Sequence, residues 1–144
     1  MKLRAGEINT NYELAGPESA PVVMFSHSLM ANLNMWEPQL TALSGYRVLR
    51  YDTRGHGGTE ATTGAYDLEM LAGDAVALLD VLRIESVHFV GLSLGGMIGQ
   101  AMALDHSDRI DGLVLCDTRG HSSPERSPSR AQRIATARAV SYTH

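Results

Sequence analysis

The sequence has a single cysteine, Cys116, in 144 residues. That excludes an intrachain disulfide framework and any zinc site built from several cysteines. Long hydrophobic runs are also missing. Apolar stretches such as Val87 to Leu94 fall far short of the roughly 20 residues that a membrane-spanning helix needs. The opening Met1-Lys2-Leu3-Arg4 leads into Gly6, Glu7 and Asn9 rather than an apolar signal core, so a soluble, cytoplasmic protein is expected. Positive charge is not in excess: 12 Lys and Arg against 16 Asp and Glu leave a net charge of −4, and nothing favours nucleic acid. No internal repeat is present. What remains, 44% hydrophobic and 19% charged residues, suits one domain with a real core.

The charge is unevenly spread. Residues 1–118 hold 15 acidic and 7 basic side chains, whereas residues 119–144 hold five arginines against Glu125 alone. The expected organisation is a core over 1–118 and an Arg-rich tail over 119–144, partly helical or disordered, or docked on an acidic face. Within the core, strand-like and helix-like segments alternate, the pattern of a mostly parallel sheet covered on both faces. Residues 3–8 and 10–15 read as a hairpin turning at Asn9. Val22–Phe25, Arg47–Tyr51, Val87–Val90 and Leu113–Cys116 read as strands, and near-continuous apolar strands belong in the middle of a sheet. Helices are expected over 34–44, 67–83, 94–105 and 129–140. The clearest is 67–83, where Leu68, Leu71, Ala75, Leu78, Leu79 and Leu82 recur at helical spacing behind the N-cap candidate Asp67.

Chemistry concentrates at Val90-Gly91-Leu92-Ser93-Leu94-Gly95-Gly96-Met97, a strand running into a Gly-flanked serine and then an apolar helix. This is a nucleophile elbow: Gly91 and Gly95 lack side chains so that neighbouring backbone can pack against a strained turn, which exposes Ser93 Oγ at a helix N-terminus. The competing reading, a Gly-rich turn with an ordinary N-cap serine, fits the strand-then-helix context less well. An elbow needs two backbone donors for the oxyanion of a tetrahedral intermediate, one from the residue after the nucleophile, Leu94, and one from the loop after a neighbouring strand. Ser26-His27-Ser28-Leu29 follows the Val22–Phe25 strand, and Leu29 is the candidate for the second. His27 reads as a structural hydrogen-bonding residue. Tyr51-Asp52-Thr53-Arg54-Gly55-His56-Gly57-Gly58-Thr59 reads as a locally bonded loop with Asp52 and His56 satisfying backbone; no lysine follows its glycines, so it is not a phosphate loop.

Together the elbow, the His27-Ser28 pair, Trp36 and the Asp52-to-Gly57 turn resemble the α/β-hydrolase superfamily. Ser26-His27-Ser28-Leu29 with Asn32 and Met35-Trp36, and Leu115-Cys116-Asp117-Thr118, resemble the 3-oxoadipate enol-lactonase group and related small esterases. The wider superfamily has His-Gly where this chain has His27-Ser28, which leaves a main-chain donor unaffected. The resemblance covers about residues 3 to 140. It implies a mostly parallel sheet of about six strands flanked by helices, with nucleophile, acid and histidine in that chain order, and a helical lid before the last two. Ala131–Ala139 resembles the start of that lid, so the expectation is a partial core lacking the lid and the last two strands.

A serine without a base is a poor nucleophile. Among the six histidines, His88 within a strand and His106 at a helix end read as structural. His121 lies just after the last strand, and Asp117 ends that strand, which is expected beside the one ending at Ser93. Adjacent strands are about 4.8 Å apart, so Ser93, Asp117 and His121 form the candidate triad in the order that the resemblance implies. The bland alternatives are a turn residue at Asp117 and an exposed histidine at 121. The implied function is a serine hydrolase cleaving short-chain or aryl carboxylic esters through an acyl-enzyme on Ser93, with no metal or organic cofactor. Competing implications are an enol-lactonase, and an impaired fragment that only oligomerises and binds small ligands. The open edge at 113–116 predicts a homo-oligomer, in which a partner copy is a second source of histidine.

Overall fold

A computed structural model of the chain describes residues 1–120. The chain opens with a hairpin of β1 (Lys2–Ala5) and β2 (Ile8–Ala15), and β3 (Val22–Ser26) follows. A 3₁₀ segment (Leu33–Ala42) leads to β4 (Arg47–Tyr51), α1 (Leu68–Leu82), β5 (Val87–Leu92), α2 (Leu94–Asp105), a 3₁₀ turn (Ser107–Arg109) and β6 (Ile110–Cys116). The six strands form one sheet in the order β1-β2-β4-β3-β5-β6. β1, β2 and β4 pair antiparallel, and β4, β3, β5 and β6 run parallel. This is the expected α/β architecture.

Local chemistry explains most elements. Asp67 accepts from the Met70 N–H (2.8 Å) to start α1. At the other end Arg83 turns left-handed and the Ile84 N–H reaches back to Leu79 O (2.9 Å), a Schellman closure. The hairpin turns earlier than expected. Ala5 pairs with Ile8, so the turn is Gly6-Glu7 with Gly6 at φ +57°, and Asn9 lies within β2. A glycine at the first turn position matches the twist of the flanking strands. The helix expected over 34–44 is the 3₁₀ segment Leu33–Ala42. Pro38 sits inside it, cannot donate to a carbonyl four residues back, and disfavours an α-helical ladder there. β6 begins at Ile110, earlier than expected, and takes in Gly112, which lies opposite His88. The expected helix at 129–140 and nearly all of the Arg-rich tail lie outside the described residues.

The central strands carry packing on both faces. Met24, Leu49, Tyr51, Val87 and Phe89 pack with Leu71, Ala75, Leu78 and Leu79 of α1 and with Ile98 and Met102 of α2. On the opposite face Val23, Phe25 and Val48 pack with Trp36 of the 3₁₀ segment, the Phe25 and Trp36 rings 4.7 Å apart.

Register decides where polar groups collect. Ser26 lies opposite both Tyr51 and Gly91, and Leu92 opposite Cys116, so β3, β4, β5 and β6 all end on one rim. The connection leaving β3 goes to one side, to β4, and the connection leaving its neighbour β5 goes to the other, to β6. The crevice between the β3 and β5 exits is therefore the topological switch point, where open parallel sheets bind ligands.

Candidate active site

Three strand exits converge on this crevice. The first is the turn from β5 into α2. Ser93 sits there at φ +53° and ψ −107°, half-buried. A helix N-cap ordinarily takes extended backbone and bonds an N–H of the first turn with its side chain. Ser93 does neither, so its hydroxyl is not used as a cap. Positive φ at a non-glycine residue costs about 1–3 kcal/mol and persists only where the surroundings impose it. Here they do. A Cβ on Gly91 would lie 2.3 Å from Gly95 O, and one on Gly95 only 2.1 Å from Ser26 O. The absent side chains let the elbow fold on itself and press against the end of β3. Leu94, the first residue of α2, has an N–H with no acceptor within its helix, and the helix start favours negative charge beside Ser93.

The second exit follows β3. The Ala31 N–H donates to Ser28 O (3.1 Å), closing a turn with Leu29 and Met30 at its centre and Met30 at φ +63°. The Leu29 N–H donates no hydrogen bond among the described residues. Leu29 is 48% exposed and Met30 89% exposed, so the turn carries apolar side chains onto the rim. Below it, His27 is fully buried. Its Nδ1 lies 2.8 Å from Ser28 O, and its Nε2 accepts from the Thr53 N–H (2.9 Å) with Thr53 Oγ1 at 2.8 Å. An acceptor at one nitrogen and a donor at the other assign a neutral imidazole with its proton on Nδ1. Burial pushes the His27 pKa below its usual value, only partly offset by the bond to Ser28 O, and nearby His56 lowers it further. His27 thus ties the β3 turn to the β4 exit, the structural role expected for it.

The β4 exit is built around Asp52. Its carboxylate accepts from the Leu33 N–H (2.7 Å), the Gly58 N–H (2.7 Å) and Asn11 Nδ2 (2.8 Å). One buried side chain thereby joins the hairpin, the 3₁₀ segment and its own loop. His56 Nδ1 lies 3.1 Å from Arg54 O, and Arg54 is paired with Asp74 of α1 (2.5 and 2.7 Å). Bonds within the loop join Asp52 to Gly58 and Thr59 and His56 to Arg54 O, but Asp52 also reaches Asn11 and Leu33 and Arg54 reaches Asp74, so the loop expected to bond locally is tied to three other segments.

The third exit follows β6. Cys116 O accepts the Ser93 N–H (2.9 Å), and Thr118 Oγ1 donates to Ser93 O (2.8 Å). Between them Asp117 turns back at φ +41° with its side chain exposed. The structure therefore brings Ser93, Leu94 and the start of Asp117 together through the Leu92-to-Cys116 pairing. Leu29 stands on the β3 exit that the elbow presses against. His121 lies outside the described residues. Thr118 and Thr53 lie in motifs quoted from the sequence, but their bonding roles are not legible there, because each acts on a residue far away in the chain. The one local signal was a threonine just past the acid that ends a strand. No group of three or more His, Cys, Asp and Glu side chains among the described residues is placed to hold a metal ion, and no described helix is long and apolar enough to cross a membrane.

A family model described as the alpha/beta hydrolase fold matches residues 21–139. The chain is 38% identical over 117 residues to a 3-oxoadipate enol-lactonase of Acinetobacter baylyi, covering 81% of this chain and 44% of that protein. It superposes on a hydrolase from Pseudomonas aeruginosa with a TM-score of 0.87 at 40% identity, covering 94% of this chain and 51% of that one. An enol-lactonase from Burkholderia xenovorans gives 0.86 at 42% identity, covering 97% and 58%. The chain thus spans about half the length of the relatives it matches, from their N-terminal part.

Proposed function

The chain belongs to the α/β-hydrolase fold family, and from that premise we propose that it carries the nucleophile and oxyanion site of a serine hydrolase acting on carboxylic esters. One observation carries this reading: Ser93 is held on left-handed backbone at the start of α2, its hydroxyl not spent on capping. Ser93 Oγ attacks the ester carbonyl. The oxyanion of the tetrahedral intermediate takes hydrogen bonds from the Leu29 and Leu94 N–H groups, each such donor being worth about 2.7–4 kcal/mol to the transition state. His121, oriented by Asp117, accepts the Ser93 proton and passes it to the leaving alkoxide, which departs as the alcohol. Water then hydrolyses the acyl-Ser93 ester, returning the acid and free serine.

The exposed Leu29 and Met30 support apolar substrates with short acyl or aryl groups, since they offer an apolar rim beside the oxyanion donors. A lactone is a cyclic ester, so the same attack opens its ring and leaves the alcohol tethered to the acyl group. Enol-lactonase chemistry, the activity named for two of the relatives, falls within the proposal.

The β6 edge supports a further element, self-association. Its seven residues carry no lysine or proline, and Val114 and Leu115 are 51% and 43% exposed. Among the described residues no strand pairs with the outer edge of β6, and a second copy pairing antiparallel there would satisfy the outward backbone groups. It also offers another source of histidine for Ser93.

Turnover of p-nitrophenyl acetate by the wild-type chain, Ser93→Ala and His121→Ala tests the reading. Both variants are expected to lose most of the activity. Wild-type turnover by Ser93→Ala would refute the hydrolase assignment. Loss in Ser93→Ala with retention in His121→Ala would move the base to another histidine.

A further inference from the structure

We propose that Thr118 is a positioning residue for the nucleophile, its hydroxyl holding the Ser93 peptide in the left-handed conformation that presents Oγ. This deepens the reading of Ser93 given above and rests on it only for its catalytic consequence. Both main-chain polar atoms of Ser93 are held from the β6 exit: the N–H by Cys116 O at 2.9 Å and the carbonyl by Thr118 Oγ1 at 2.8 Å. The carbonyl also accepts from the Met97 N–H at 3.1 Å, so the Thr118 hydroxyl occupies its second lone pair and completes its bonding.

Two further features show that this contact is built in. A Cβ on Gly96 would lie 2.7 Å from Thr118 Cβ and Cγ2, so α2 omits a side chain at the one place where Thr118 seats against it. Asp117, the residue between the two holding groups, is itself at φ +41°. Asp is among the few non-glycine residues that visit this region readily. The turn at Asp117 carries Thr118 back over the helix start instead of letting the chain run on from β6. Two residues on left-handed backbone, Ser93 and Asp117, thus stand at neighbouring strand ends, and Thr118 closes the gap between them. Turning Ser93 to the extended backbone of an ordinary cap would change its φ and ψ together and so disturb the two peptides that hold these bonds to the β6 exit.

The test compares Thr118→Val, which keeps the shape and removes the hydroxyl, with Thr118→Ser, which keeps the hydroxyl. Two readouts are taken on the whole chain: amide hydrogen exchange at Ser93 by NMR, and the rate of Ser93 labelling by an alkyl fluorophosphonate. Loss of one hydrogen bond corresponds to about a threefold to tenfold effect. In Thr118→Val the Ser93 amide is expected to exchange faster, and labelling to slow, by that factor, while Thr118→Ser stays within twofold of wild type. Gly96→Ala, which displaces Thr118 without altering it, is expected to shift exchange the same way. Wild-type exchange at Ser93 in Thr118→Val overturns the proposal, as does failure of Thr118→Ser to restore it. If the wild-type chain is not labelled at Ser93, the hydrolase reading fails instead, and the exchange comparison still decides the role of Thr118.

Discussion

Replacing Gly95 by alanine would place one methyl group where the fold has left no room. The new Cβ would lie 2.1 Å from Ser26 O, 2.5 Å from Ser26 C and 2.9 Å from Ser26 Cβ, whereas ordinary contact begins at 3.4 Å. The helix start and the β3 exit must therefore separate by about 1 Å or more before the side chain fits. Neither partner yields cheaply. Ser26 is backbone of a central strand paired on one side to β4 and on the other to β5, and Gly95 follows a turn already fixed by the close approach of Gly91. Overpacking of this kind costs about 1–3 kcal/mol, and a clash with paired backbone belongs at the upper end. The displacement also pulls Leu94 away from Leu29. A misplacement near 1 Å at a reacting centre costs about 100-fold in rate. Gly95→Ala is expected to lose about 2–3 kcal/mol in urea unfolding and about 100-fold in p-nitrophenyl acetate turnover. Gly73→Ala is the control: Gly73 is within α1, and its added Cβ meets nothing within 4 Å, so it should gain about 0.5–1 kcal/mol from helix propensity with turnover unchanged. A Gly95→Ala protein within 0.5 kcal/mol and threefold of wild type would refute the reasoning from close approach.

Two other outcomes are expected. His27 is buried neutral with its pKa pushed below the usual value of 6.5, so as the pH falls below about 6.5 the unfolded chain takes up a proton that the folded chain refuses. Stability should then drop by up to about 1.4 kcal/mol per pH unit until the lowered folded pKa is reached; urea titrations from pH 7.5 to 4.5 should show this slope in wild type and lose it in His27→Gln. Along the β6 edge, Val114→Lys introduces a charge of the kind that protects natural edges, and light scattering coupled to size exclusion should find it monomeric where the wild type self-associates; a monomeric wild type would remove the interface.

Much of this arrangement was legible in the chain because its causes are local. The strand-to-helix change at Ser93 and the glycines beside it are contiguous, and the close contacts they allow are those that the elbow pattern requires. The stripe from Leu68 to Leu82 and its Asp67 cap located α1 for the same reason. Other features were set by competition or by distance. A helix is expected over 34–44, but the segment Leu33–Ala42 is 3₁₀, with Pro38 inside it removing a backbone donor. Asn9 looked like the hairpin turn, yet Gly6 supplied the positive φ and Asn9 was drawn into β2, where its N–H and side chain both bond the Glu60 carboxylate (3.0 Å each). The bonds of His27 to Thr53, of Asp52 to Leu33 and of Thr118 to Ser93 cross between segments. Composition and periodicity carry no trace of such pairings, which exist only once the sheet order has been set.

That sheet order also dictates a sequence of events in time. β3 is made early but lies between β4 and β5, and its partner at Gly91 is separated from Ser26 by both crossovers. During synthesis the hairpin, β3, β4 and α1 can emerge while one edge of β3 still faces water. The crevice comes into being only when the elbow arrives and Gly95 settles on Ser26. Long-range parallel pairing of this kind is slow and exposes apolar strand to other chains while it waits. The contact that shapes the turn at Ser93 therefore waits for both crossovers to be made, and until then one edge of β3 is open to pairing with other chains.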